Sequence, residues 1–438
     1  MEGLVAGDVA WILTSSAFVL LMTPGLAFFY GGLVAHSNVL NTMMMSIISM
    51  GISSVLWMVV GFSLAFGKGG GALVGDFSYA FLNGMETELW PDTGIPALLF
   101  MVFQLTFAII GAAIISGSVV ERIRFSAYAL FIALWLPLVY APVCHWVWGP
   151  GGWIDELGAK DFAGGTVVHE CTAVSALTLA VCVGKRESTK SGCPAQEPHN
   201  VPFVVLGAAI LWFGWSGFNG GSALAADEVA ALALVNTYMS AGASLVAWIC
   251  LERSLLRRYS ATGAVTGAVV GLVVITPAAG FVSPLGAVAM GAVGCALVYP
   301  CFRPSCFWSR WVDDSLDAFP CHGVGGFVGT ILTGLFAKEG GLFYGGGFRL
   351  LGVQLTAAVA TAAYSAVATG LIFLLLRIFM VVRVGLDHEL QGLDDVFHGE
   401  KAYAAGSMSA PSSPVKENAA AMLEQGTDES STDEASEE

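Results

Sequence analysis

Charge is what this sequence has least of. Only 12% of its 438 residues are Asp, Glu, Lys or Arg, about half the ~25% usual in soluble domains. So few charges cannot cover a water-soluble fold of this length. They also fall between apolar runs of about the ~20 residues a helix needs to cross a bilayer. The composition therefore excludes a soluble protein and predicts an all-α integral membrane protein with many spans.

Other absences narrow the class further. Nine cysteines are present, but no two have the spacing of a zinc site or a disulfide framework. Cys144, Cys171, Cys182, Cys250 and Cys295 fall in or at the ends of apolar runs, where cysteine acts as a small hydrophobe. No metal or cofactor is expected. Every lysine falls in a loop or the tail, which excludes a retinal-type Schiff base on a membrane helix. No P-loop pattern is present, which argues against an ATP-driven pump, and no nucleic-acid partner is expected. Met1-Glu2, with Asp8 close behind, carries no basic stretch, so the first apolar run reads as retained.

The net charge of −15 has a local origin. From 404 to 438 Lys416 alone opposes Glu417, Glu424, Asp428, Glu429, Asp433, Glu434, Glu437 and Glu438. With no apolar period, this stretch reads as a disordered acidic tail.

What is present is a series of spans. Runs near 9–32, 42–66, 96–119, 126–145, 165–183, 202–218, 229–250, 261–277, 282–299, 320–337 and 351–376 make eleven. Loops after odd-numbered spans, with the C-terminal region, hold fourteen of the eighteen Lys and Arg. Loops after even-numbered spans hold Lys68, Lys160, Lys338 and Arg349. By the positive-inside rule the N-terminus is outside and the C-terminus cytoplasmic.

Ionisable groups inside spans are expensive and point to function. His169 opens the fifth span after Asp161, and His322 opens the tenth after Asp317. The two spans are five apart, an odd number, so they run in opposite directions. This predicts two inverted five-helix repeats, about 9–183 and 202–337, with an eleventh helix added. The substrate path of such folds follows the repeat interface. One membrane histidine is as easily a packing residue; two at matching places predict a shared pore. Asp161 and Asp317, at helix starts, read as structural caps of backbone N–H groups.

These motifs resemble those of the Amt/Mep ammonium transporter family. Asp161–His169 is similar to its signature, and His322-Gly323-Val324-Gly325-Gly326 to its second histidine motif. Thr23-Pro24-Gly25, Val102-Phe103-Gln104, Glu121-Arg122, Gly217-Phe218-Asn219 and Ile275-Thr276-Pro277 extend the match. Gly392-Leu393-Asp394, His398-Gly399 and Ala402-Tyr403 resemble its cytoplasmic tail motif. The likeness runs in order over roughly 10–403. It implies a transmembrane domain over 1–383 and a regulatory tail motif over 384–403.

The resemblance also implies roles. Phe107, Trp148 and Ser222, with Phe103 as a further wall, match the outer site that recruits ammonium. Phe107 and Phe218 match a stacked gate, Trp215 a pore lining, and His169 with His322 the proton-relaying pair. It implies ammonium, ammonia and methylammonium as substrates, a homotrimer in a lipid bilayer (the plasma membrane by default), transport rather than enzymatic catalysis, and a cytoplasmic partner acting on the tail. Two rivals remain: a Rhesus-type ammonia or carbon dioxide channel, against which Trp148 with Ser222 speaks, and an ammonium sensor signalling through its tail.

Two departures stand out. Glu170 places a carboxyl beside His169; with no Lys or Arg in any span interior to pair it, it is expected to be neutral, to point away from the path and to hydrogen-bond a neighbouring helix. Val396 stands where plant relatives carry a regulatory threonine, so phosphorylation is not available there.

Overall fold

The computed structural model describes residues 2–191, 197–303 and 306–403. The acidic stretch 404–438 lies outside the described residues. Among the described residues eleven helices are long and apolar enough to cross a membrane. They are α1 (Ala6–Leu33), α2 (Val39–Phe66), α3 (Ala97–Ser118), α4 (Phe125–Glu156), α5 (Gly165–Val183) and α6 (Val201–Gly221). They continue with α7 (Glu228–Leu256), α8 (Ala261–Ala278), α9 (Pro284–Phe302), α10 (Phe319–Phe336) and α11 (Arg349–Phe379). Two short helices follow, α12 (Leu386–Gln391) and α13 (Leu393–His398). Among the described residues there is no β-strand, only two isolated bridges.

The reason is the solvent. In a bilayer every backbone N–H and C=O must be satisfied within the segment, which selects helices. Several helix starts are closed by side chains of the type expected there. Asn200 accepts from Phe203 N, Asp227 from Val229 and Ala230 N, Ser260 from Gly263 N and Ser283 from Gly286 N.

Two pairs of spans five apart in order meet. α1 lies along α6, and the start of α5 packs on the start of α10. The α1–α6 approach depends on glycine: a Cβ on Gly207 would lie 2.3 Å from Phe29 N and 2.6 Å from Gly25 O. Close crossings of this kind are how membrane helices pack without a hydrophobic drive.

The spans differ from the sequence expectation mainly at their ends and in their winding. α4 runs past 145 to Trp148, breaks at Gly149–Gly152, and resumes over Trp153–Glu156. Four segments are π-helical: Trp57–Gly61, Leu136–Tyr140, Gly165–Glu170 and Phe319–Val324. The last two contain His169 and His322. A third histidine in a span, His145, is spent on structure, its nitrogens 2.9 and 2.8 Å from the carbonyls of Ala65 and Gly71.

Candidate functional site

π-helical turns are rare and gather at functional sites because they re-aim a side chain. Here two of them aim imidazoles at each other. His169 Nδ1 and His322 Nδ1 are 3.3 Å apart, and the rings stack at 5.3 Å between centroids. Both are buried. A shared Nδ1–H holds the pair together and leaves each Nε2 free, and His169 Nε2 has no partner among the described residues.

Asp161 holds the first turn open. Its Oδ1 accepts from Gly164 N (2.8 Å) and Gly165 N (2.6 Å), and its Oδ2 from Thr166 N (2.8 Å), Val167 N (3.3 Å) and Thr166 Oγ1. A carboxylate on a cluster of helix-start N–H groups is the strongest form of cap. Gly164 has φ +108°, and a Cβ there would lie 2.6 Å from Val168 Cγ2.

The equivalent role expected of Asp317 falls to another residue. Asp317 is exposed with φ +55°. Asp314 instead accepts from Phe319 N at 2.7 Å and Ala318 N at 3.3 Å. Asp314 stands eight residues before His322, the same spacing that Asp161 has from His169, so the two caps match in register and Asp317 is three residues too close.

A column of aromatic rings leads to the histidines. Phe103 meets Phe107 at 4.9 Å, and Phe107 lies on Phe218 at 4.3 Å with 31° between planes. Phe218 and Trp215 then stack on His169 at 5.7 and 5.5 Å. Trp215 is fixed by Nε1–H donating to Thr276 Oγ1 at 3.0 Å. Phe107 and Phe218 are fully buried. Trp148 stands edge-on to Phe107 at 6.1 Å, half-buried, its Nε1–H donating to Asp161 O at 2.8 Å. Ser222, also half-buried, donates to Phe218 O at 2.8 Å, which leaves its oxygen free to accept. The sequence-predicted residues thus form one file, from Trp148 and Ser222 through Phe107 and Phe218 to the imidazoles.

Glu170 departs from expectation in one respect. It is buried, but its Oε2 has no hydrogen-bond partner among the described residues. Among the described residues the expected hydrogen bond to a neighbouring helix is not found.

At the opposite end an ion-pair cluster joins the loops. Arg186 reaches Glu121 at 2.5 Å and grips Asp313 through Nη2 (2.7 Å) and Nε (2.9 Å). Burial pushes the Asp313 carboxyl up, but the hydrogen bonds and charge of Arg186, helped by Arg122, outweigh it and hold it well below the carboxylate range. Asn38 bridges onward, donating to Glu121 (3.1 Å) and accepting from Leu393 N (2.7 Å). Asp394 accepts from Asn41 N at 2.8 Å, and Tyr403 Oη lies 2.8 Å from His199. The segment 384–403 is thereby seated on two loops and the start of α2. Sequence reasoning did not identify this cluster; its only trace was acidic and basic residues in loops of the same parity.

Comparisons with known proteins agree with this arrangement. A profile of the Ammonium Transporter Family matches residues 10–403. An ammonium transporter of Bacillus subtilis is 45% identical over 91% of this chain and 98% of its own length. Among solved structures, Saccharomyces cerevisiae Mep2 superposes with a TM-score of 0.84 at 31% identity, covering 94% of both chains. A structure described as a sensor Amt protein superposes with a TM-score of 0.83 at 31% identity, covering 90% of this chain and 98% of that one.

Proposed function

This chain belongs to the ammonium transporter family, and from that premise we propose that it recruits the ammonium ion, strips its proton, and passes ammonia and the proton separately between the two histidines. The observation that carries the reading is the unbroken file from Trp148 through Phe107 and Phe218 to His169 and His322.

Each part has a physical task. The faces of Trp148, Phe103 and Phe107 attract a cation by ~2 kcal/mol or more once it is desolvated. Ser222 Oγ adds a hydrogen-bond acceptor. Among the described residues no carboxylate lies in the file past the phenylalanine pair, and an unpaired ion in that apolar bore would cost far more than the aromatic site supplies. Neutral ammonia avoids this cost. The detached proton moves on imidazole, whose ring nitrogens each donate or accept and whose unperturbed pKa is ~6.5. The distribution of basic loops supports an orientation with the Trp148 end outside and the tail in the cytoplasm. The family resemblance supports a homotrimer in the plasma membrane with methylammonium as a second substrate.

The sensor reading has one observation of its own, the tail segment hydrogen-bonded to two loops and the start of α2. It requires a partner that responds to the tail, whereas transport requires none. Solid-supported membrane electrophysiology on proteoliposomes tests the transport reading. Saturable current with ammonium and methylammonium is expected; ammonia flux without current would replace transport by the gas-channel reading, and neither flux nor current would leave the sensor.

A further inference from the structure

Loops on the Trp148 side hold only four basic residues, Lys68, Lys160, Lys338 and Arg349, and three of them gather in one place. Lys160 Nζ lies 4.5 Å from the centre of the Phe281 ring, and the Phe281 carbonyl accepts from Lys338 N at 2.9 Å. Lys160 and Arg349 both line a cleft of about 340 Å³ between the loop 157–160 and the start of α11, within the size range of small-ligand sites. Lys68 stands apart, paired with Glu88 at 3.1 Å.

The cleft is held in shape from beneath. Lys160 N donates to Gln354 Oε1 and Lys160 O accepts from Gln354 Nε2, both at 2.8 Å. Gln354 is itself 1% exposed, and its Nε2 also reaches Thr330 O at 3.2 Å. A lysine fixed at its backbone and along its stem has already lost much of the freedom that binding would otherwise cost. Its carboxylate partner is Glu339, at 3.8 Å and 90% exposed, and exposed pairs of this kind are weak. Lys338 and Arg349 are exposed and have no ion pair among the described residues. Asp155 and Glu156 precede the loop but do not line the cleft. Leu157, Leu350 and Val353 complete its wall.

Its height in the bilayer follows from α11. The rise from Arg349 to Arg377 along this helix is about 42 Å at ~1.5 Å per residue, the ~40–45 Å of a bilayer with both headgroup layers. Arg349 therefore stands among headgroups. Phe343, Tyr344 and Phe348, just before it, are exposed, as aromatic residues of the interfacial belt are. Three cations against the one carboxylate of Glu339 favour a headgroup with a net negative charge.

We propose that this cleft binds the phosphate of an anionic phospholipid between Lys160 and Arg349. Because Asp161 follows Lys160, a bound phosphate braces the loop that caps the His169 turn. The site lies outside the substrate file and stands independently of the transport reading; the orientation given above decides only which leaflet supplies the lipid.

Native mass spectrometry of the purified full chain in detergent, titrated with phosphatidylglycerol, tests the proposal. Lys160→Gln and Arg349→Gln should each weaken binding about fivefold, and the double variant by roughly the product. Glu339→Gln removes the carboxylate that competes for Lys160 and should tighten binding, an effect that a purely structural role would not produce. Lys68→Gln should bind as the wild type does, and phosphatidylcholine should bind at least about fivefold more weakly than phosphatidylglycerol. Wild-type affinity in both Lys160→Gln and Arg349→Gln, or an equal loss in Lys68→Gln, would overturn the site. Inorganic phosphate that displaces phosphatidylglycerol as strongly as the lipid itself would assign the cleft to a free anion and overturn the lipid as its occupant.

Discussion

Arg186→Ala removes the shared partner of two buried carboxylates. The guanidinium side chain is 17% exposed, and Glu121 and Asp313 are 7% and 4% exposed. Breaking a buried pair from one side costs about 4 kcal/mol, since the other charge stays buried. With an unfolding entropy of ~2 cal/mol/K per residue, that lowers Tm by about 4 °C for a chain of this size. The effect has a pH signature. Asp313 is held below its ordinary value, so the stability it contributes is complete above the carboxylate range of ~4 and lost as pH falls through the depressed value. In Arg186→Ala the same carboxyl is buried without a cation and takes up its proton at higher pH. The melting gap between wild type and variant should therefore be widest near pH 7 and narrow on acidification. Tryptophan-fluorescence melts of purified protein in detergent at pH 7.5 and pH 4.5 measure it. Equal melting temperatures at pH 7.5, or a gap that widens in acid, would refute the reasoning.

Trp148→Leu removes the aromatic face beside Phe107, and uptake at low ammonium should lose its saturable component; an unchanged concentration dependence would take Trp148 out of the site. Asp161→Ala orphans four N–H groups and the Thr166 hydroxyl; at ~1–3 kcal/mol per unmet donor it should give little folded protein, and normal yield with normal current would contradict the cap. His169→Leu or His322→Leu should abolish current more than ammonia permeation, as read by lumen alkalinisation in proteoliposomes; retained current with lost ammonia flux would remove the relay.

Much of this was legible in the sequence because bilayer physics is severe. Eleven apolar runs had one available structure, and two histidines at matching places of opposed spans had to meet. The aromatic file was legible only through resemblance, since any single Phe in an apolar helix reads as packing. The π-helical turns were hidden: their signal, Gly and Pro before each histidine, is shared with ordinary helix starts. The second cap is Asp314, eight residues before His322 as Asp161 is eight before His169, and not the nearer Asp317. The Arg186 cluster was unread because its members are separated by tens to hundreds of residues and come together only when the loops fold. Glu170 was located correctly but given a partner the fold does not supply.

The central claim is that charge and ammonia cross together but by separate means. Current and lumen pH recorded on the same proteoliposomes after an ammonium jump test it most directly. Inward positive current without initial lumen alkalinisation is predicted, because each ammonia arrives with its proton. Lumen alkalinisation without current would contradict it.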